Sequence, residues 1–219
     1  MQGPKVDPRS HLPRRASREQ LLAVFAEAAK SRAQYHRHLM LAALSVLYST
    51  GIRRGELERL KLENYDITSS TLRIDGRKTG TERVVPLAPS AVQCIEAYLP
   101  QRFNVLCKAE RPSEKALFVG KTGLPMHGVK MSMAVRRLAK RAKVPHVTLH
   151  QFRHSCASDL LEEGVGMAEV QRILGHAVLV TTFRYTQIAD PERKKAVSRH
   201  PINQILTESP VEENEVCHG

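Results

Sequence analysis

The sequence predicts a mainly α-helical domain carrying one small antiparallel β-sheet, an α+β fold. Three observations lead there. Apolar residues recur at helical spacing along much of the chain, as in Leu21, Leu22, Phe25, Ala28 and Ala29. The period changes to two in Thr71-Leu72-Arg73-Ile74-Asp75 and again in Glu82-Arg83-Val84-Val85-Pro86-Leu87. The 219 residues are 42% apolar and 26% charged, a globular composition in a chain long enough to bury a sizeable core.

The elements follow in order. Residues 1–16 hold Pro4, Pro8 and Pro13 among several basic residues and read as an extended, flexible basic arm. Ser17, with Glu19 and Gln20 behind it, opens a helix. His38 to Tyr48 is almost wholly apolar, so the second helix is buried, and Gly51 stops it. Glu56, Leu57, Leu60 and Leu62 mark a short third helix. The two alternating runs around Gly76-Arg77-Lys78-Thr79-Gly80-Thr81 form a β-hairpin. Pro89 begins a helix through Tyr98, and Ala116–Gly120 reads as a short strand. Further helices are expected near 127–142, 150–163, 167–174, 179–188 and 191–199. After residue 202 comes an acidic tail, 203–219, read as flexible. There is no internal repeat.

Charge narrows the function. Lys and Arg number 34 against 22 Asp and Glu, a net charge of +12. The tail holds four Glu and no Lys or Arg, so residues 1–202 carry 34 basic against 18 acidic residues. A domain this basic meets an anion, nucleic acid or an anionic membrane surface. No apolar run approaches the roughly 18 residues of a membrane span, and Met1–Arg18 has no apolar signal core. Cys94, Cys107, Cys156 and Cys217 show no close pair and no metal spacing, as in a reducing compartment. These readings favour nucleic acid, in a reducing cytoplasm, over a membrane.

The chemistry must come from side chains. There is no Walker loop, no dinucleotide fingerprint, no His-Glu-x-x-His and no carboxylate cluster of a two-metal nuclease. No cofactor and no metal are expected, so charge on a phosphate would be neutralised by the chain itself. Leu149-His150-Gln151-Phe152-Arg153-His154 opens a helix and places His150 and Arg153 on one face. Arg offers a planar fork for two phosphate oxygens. Thr50-Gly51-Ile52-Arg53-Arg54-Gly55-Glu56-Leu57 puts an Arg after a glycine break, with Glu56 able to pair with it. Lys78 lies on the hairpin turn. Leu174-Gly175-His176 is followed by Thr181-Thr182-Phe183-Arg184-Tyr185-Thr186. Taken singly, each reads first as a solvated Arg, Lys or His or a half-buried Tyr.

Together and in this order, from about residue 17 to Pro201, they resemble the catalytic domain of the tyrosine recombinase (phage integrase) family. The resemblance implies that catalytic-domain fold and a set of Arg53, Lys78, His150, Arg153, His176 and Tyr185 around one scissile phosphate. Tyr185 would be the nucleophile, forming a 3′-phosphotyrosyl link and releasing a 5′-hydroxyl, without metal or ATP. Arg53 and Arg153 would clamp the non-bridging oxygens. Lys78 would protonate the leaving oxygen, His150 would take the tyrosine proton and His176 would hydrogen-bond the phosphate. Register with the motif selects Arg53 over Arg54 and Lys78 over Arg77. His154 is assigned to packing or a hydrogen bond. Arg136, Arg137, Lys140, Arg141 and Lys143, on one basic helix, and Arg184 are candidate DNA contacts.

The implied function is site-specific DNA recombination or integration. The alternatives are a catalytically silent DNA-binding relative and a type IB topoisomerase-like nicking and resealing enzyme. The implied assembly is a homo-tetramer on two DNA sites, or a monomer without DNA, with the 191–198 helix lent to a neighbour or folded back in cis. Relatives carry a separate helical clamp domain before the catalytic one, whereas only about 16 residues precede the first helix here. The expectation is either a catalytic-domain-only recombinase or a truncated one.

Overall fold

In the computed structural model, residues 34–50 form the helix around which the rest is built. The structure describes residues 15–76, 82–175 and 197–207. The helices are α1 (Arg18–Ala29), α2 (Gln34–Thr50), α3 (Arg54–Arg59), α4 (Pro89–Lys108), α5 (Gly128–Arg141), α6 (Leu149–Glu162), α7 (Met167–Leu174) and α8 (Ile202–Thr207). Strands β1 (Tyr65–Asp66), β2 (Thr71–Ile74) and β3 (Arg83–Pro86) lie between α3 and α4.

Every residue of α2 from Leu39 to Thr50 is buried, as its unbroken apolar run requires. It packs against α1, α4 and α6. Phe25, Tyr48 and Phe152 bring α1, α2 and α6 together with ring centroids 6.3–6.5 Å apart. The Tyr48 hydroxyl donates to Asp159 on α6. Ser17 and Gln20 form a capping box at the start of α1, and Thr148 and Gln151 form one at the start of α6.

The sheet is antiparallel in the order β1-β2-β3, with Thr71 opposite Pro86 and Ile74 opposite Arg83. The hairpin expected from alternation is present. Arg83 and Val85 point inward from β3 and Val84 outward, and β3 packs on α7.

Several elements differ from the sequence reading. Residues 116–120 form no strand; only isolated bridges, Lys61 to Ala116 and Val119 to Pro125, occur there. The backbone is tied instead by Arg102, which donates to the carbonyls of Glu114 and Ala116. α4 runs past Tyr98 and through Pro100 to Lys108, because Ile95, Tyr98, Arg102 and Leu106 keep one buried strip at helical spacing. Arg15 and Ala16, read as the end of a flexible arm, are anchored. Arg15 pairs with Glu162 and Asp159, and the Ala16 carbonyl accepts from Ser155 Oγ at 3.0 Å. Residues 203–207, assigned to the tail, belong to α8, where burial of Ile202 and Ile205 outweighs the acidic composition that follows. That segment docks in cis on α1, α2 and α4, and Asn203 Oδ1 accepts from Ser90 Oγ at 2.6 Å. The helix expected at 179–188 and most of that at 191–199 lie outside the described residues. No described helix is long and apolar enough to cross a membrane.

Candidate active site

The site is assembled where α2 ends, α3 begins and α7 stops. Gly51 closes α2 in the left-handed conformation, φ 57°. A Cβ there would lie 2.2 Å from Leu174 Cδ2, so both the backbone sign and the close approach of α7 require glycine. The chain then turns through extended Arg53 into α3. α7 ends on Gly175, also left-handed with φ 64°. A Cβ on Gly175 would sit 2.7 Å from Arg83 Nη1.

A helix C-terminus leaves carbonyls without intrahelical donors and carries partial negative charge. Three arginines from three different elements meet three successive carbonyls there. Arg83 Nε donates to Ile173 O at 2.9 Å, Arg153 Nη2 to Leu174 O at 2.9 Å and Arg53 Nη2 to Gly175 O at 3.0 Å. Arg153 Nη1 also donates to Gly51 O at 2.5 Å, so one guanidinium joins the ends of α2 and α7. The capping box that starts α6 at Leu149 sets this register, placing Arg153 one turn inside the helix.

Glu56 is the only carboxylate joined to this arginine set by a described hydrogen bond or ion pair. Its Oε1 accepts from Arg53 Nη1 at 3.0 Å, and its Oε2 accepts from the Arg53 N–H at 2.9 Å. The pairing anticipated for Glu56 is therefore present. Arg83 adds a fork, Nη1 to Oε1 at 3.2 Å and Nη2 to Oε2 at 2.9 Å. Burial works to raise the Glu56 carboxyl, but the hydrogen bonds from Arg83 and Arg53 outweigh it and hold it below the usual carboxylate range.

Among the described residues, three guanidinium groups thus face one carboxylate, so two of the positive charges have no carboxylate of their own. Arg153 registers this: burial first, then the charges of Arg53 and Arg83, push its guanidinium down to about 10. Burial and two neighbouring cations both disfavour the charged form of Arg153, and an anion beside it would offset both. Arg153 is buried, whereas Arg53 is half-buried.

His150 is exposed, one turn before Arg153, and its Nε2 lies 3.0 Å from His154 Nε2. One proton serves that contact, so one ring donates and the other accepts. Burial, then His150 and Arg153, lower the His154 value. Arg54, the rival of Arg53, is exposed and lies along Gly128 at the start of α5. Lys78, His176, Arg184 and Tyr185 lie outside the described residues.

The candidate DNA contacts divide. Arg136, Arg137 and Lys140 are exposed on α5. Arg141 is on the same helix but pairs with Glu27 at 2.8 Å. Lys143 is not on the helix, which ends at Arg141; it sits in the following turn with φ 57°. Glu58 of α3 holds the α5 N-terminus, accepting from the Gly128 N–H at 3.1 Å and meeting His127 Nδ1 at 2.9 Å. The sequence motifs assign Arg83 no role, yet a charged residue at an inward position of an alternating strand is itself a signal.

The profile of the phage integrase family matches residues 14–192. The chain is 34% identical over 191 residues to the tyrosine recombinase XerC of Bifidobacterium longum strain DJO10A, covering 85% of this chain and 51% of that protein. It is 35% identical over 147 residues to the XerC of Azotobacter vinelandii, covering 67% of this chain and 47% of that protein. The chain therefore spans about half the length of the curated relatives it matches. Its fold is similar to that of the XerA recombinase, with a TM-score of 0.65 at 24% identity, covering 94% of this chain and 68% of that one. The XerH site-specific recombinase, solved bound to a difH substrate in a pre-cleavage complex, matches with a TM-score of 0.63 at 20% identity, covering 93% and 55%.

Proposed function

Because the chain belongs to the phage integrase family, we propose that it is the catalytic part of a site-specific DNA recombinase, acting on double-stranded DNA through a covalent tyrosine intermediate. The observation that carries the reading is the meeting of Arg53 and Arg153 on adjacent carbonyls of the α7 terminus, where the described residues set one carboxylate against three guanidinium groups. A phosphodiester bound there gains charge in a pentacoordinate transition state, where preorganised donors act most strongly. Arg53, Arg153 and Glu56 are already fixed by hydrogen bonds, so little reorganisation accompanies the step.

In this reading the Tyr185 oxygen attacks phosphorus. The P–O bond to the 5′ oxygen breaks, and a 3′-phosphotyrosyl ester forms. The tyrosine proton passes to His150 and the leaving oxygen receives one from Lys78, so charge balances on both sides. His176, next in the chain after Gly175, hydrogen-bonds the phosphate. Religation by a 5′-hydroxyl reverses these transfers, and the bond energy stays in the ester. Exposed Arg136, Arg137 and Lys140 on α5 contact DNA phosphates. Two DNA sites are held by four copies of the protein, as exchange of two strand pairs requires.

The test is adduct formation on a nicked suicide duplex carrying a candidate site, with chelator and without ATP. Wild type should yield a denaturation-resistant protein–DNA adduct, and Tyr185→Phe none. Absence of adduct on DNA that the wild-type protein demonstrably binds would sink the reading.

A further inference from the structure

Arg83 is the inward residue at the start of β3, 9% exposed, and has no part in the proposed phosphoryl transfer. Its guanidinium nevertheless makes three of the contacts that hold the site. Nε caps the α7 terminus at Ile173, and the two Nη groups take both oxygens of Glu56. An arginine and a carboxylate prefer this two-point fork. Glu56 has a second arginine beside it, Arg53, which it meets through one Nη only. The other Nη of Arg53 is on Gly175 O. Arg83 therefore occupies the fork that would otherwise form between Glu56 and Arg53.

We infer that Arg83 is a positioning residue: by holding Glu56 in a buried fork and capping α7, it keeps Arg53 turned toward the phosphate rather than collapsed onto the carboxylate. The inference rests on the proposed role of Arg53 in binding the scissile phosphate. It predicts a specific failure when Arg83 is removed. The carboxylate of Glu56, left buried with one arginine, takes both Nη groups of Arg53 and cancels the charge meant for the anion. Removing that carboxylate as well should release Arg53. A residue that only fills space would show no such release.

The experiment compares Arg83→Met, Glu56→Gln, the double variant and Arg83→Lys in the full chain. The first readout is the single-turnover rate of adduct formation at saturating protein on the suicide duplex. Arg83→Met should lower it about 10²-fold, the cost of misplacing a positioned group. The double variant should recover at least about 10-fold of that loss, because no carboxylate remains to capture Arg53. Arg83→Lys keeps the charge but not the fork, and should stay at least about 10-fold below wild type. The second readout is the rise in melting temperature produced by inorganic phosphate, expected in wild type, lost in Arg83→Met and regained in the double variant. Wild-type adduct rates in Arg83→Met, or a double variant no faster than Arg83→Met, would overturn the inference. If Arg83→Met fails to fold, Arg83→Lys decides, and a wild-type rate there overturns it equally. If wild type forms no adduct yet phosphate stabilises the variants in the expected pattern, the recombinase reading falls and the positioning role stands. Absence of both effects in wild type removes both.

Discussion

Arg153 shows how one side chain carries structure and chemistry together. Its two Nη groups reach Gly51 O and Leu174 O, carbonyls that end two different helices. Burial and two neighbouring guanidinium groups push it down to about 10, so it is charged at neutral pH. A phosphate relieves that repulsion. Lysine has one nitrogen and no fork, and cannot bridge both carbonyls and an anion. Arg153→Lys is expected to lower adduct formation by about 10²–10³-fold, the cost of one preorganised donor to a developing charge. Single-turnover rates on the suicide duplex would check this, and a loss below about 10-fold would argue that Arg153 serves α7 more than the phosphate. Glycine matters in the same place. Gly51 and Gly175 supply the left-handed turns that let carbonyls and guanidinium groups meet.

At the scale of elements, the short C-terminal helix α8 is held by a buried histidine. His200 is 1% exposed and its ring packs edge-on to Tyr48 at 4.5 Å. Its Nδ1 accepts from the Ile202 N–H at 3.2 Å, which ties the turn before α8 to itself. Burial outweighs the contact with the Tyr48 backbone and pushes the imidazole down to about 3. The native state therefore keeps His200 neutral, while the unfolded chain takes up a proton near pH 6.5. Between about 3 and 6.5 the unfolded state binds more protons, so stability is intact above that window and falls as pH drops through it. The expected loss is up to about 1.4 kcal/mol for each pH unit below 6.5. Melting curves at pH 7.5 and 5.0 should separate in wild type and draw together in His200→Phe. Equal separation in both proteins would place the acid sensitivity elsewhere. Because α8 docks on α1, α2 and α4, amide exchange in 197–207 should quicken over the same window.

For the whole molecule the governing quantity is positive charge, +12 over 219 residues. Affinity for DNA should fall with salt, since each neutralised phosphate releases counterions. Arg136 and Lys140 are exposed on α5, whereas Arg141 is engaged with Glu27. Arg136→Gln and Lys140→Gln should each reduce the slope of log affinity against log salt by about 1. Arg141→Gln should change it less. Unchanged slopes for the first two would move the DNA face away from α5. That helix is joined to the site: Glu58 of α3 caps its N-terminus, four residues after the start of the helix that Arg53 opens. The Glu58 contact thus joins the start of α5 to the helix that Arg53 opens.

The sequence by itself determined α1 to α3, α5 to α7, the two hairpin strands and the family, because helix and strand periods, glycine stops and ordered short motifs are properties of neighbouring residues. It also carried Arg53, His150 and Arg153, whose motifs sit at helix starts. It misread the segments whose fate depends on distant partners. Residues 116–120 look like a strand but find bridges and Arg102 rather than a ladder. Residues 203–207 look like tail but bury Ile205 against the core. Arg83 looks like one more basic residue, until packing places it on Ile173, 90 residues away, and on Glu56, 27 residues away. Only the tertiary structure decided that assembly. A hydrogen-bonded fork between residues so far apart has no local conformational signature, and exists once α3, β3 and α7 have closed on the same carbonyls.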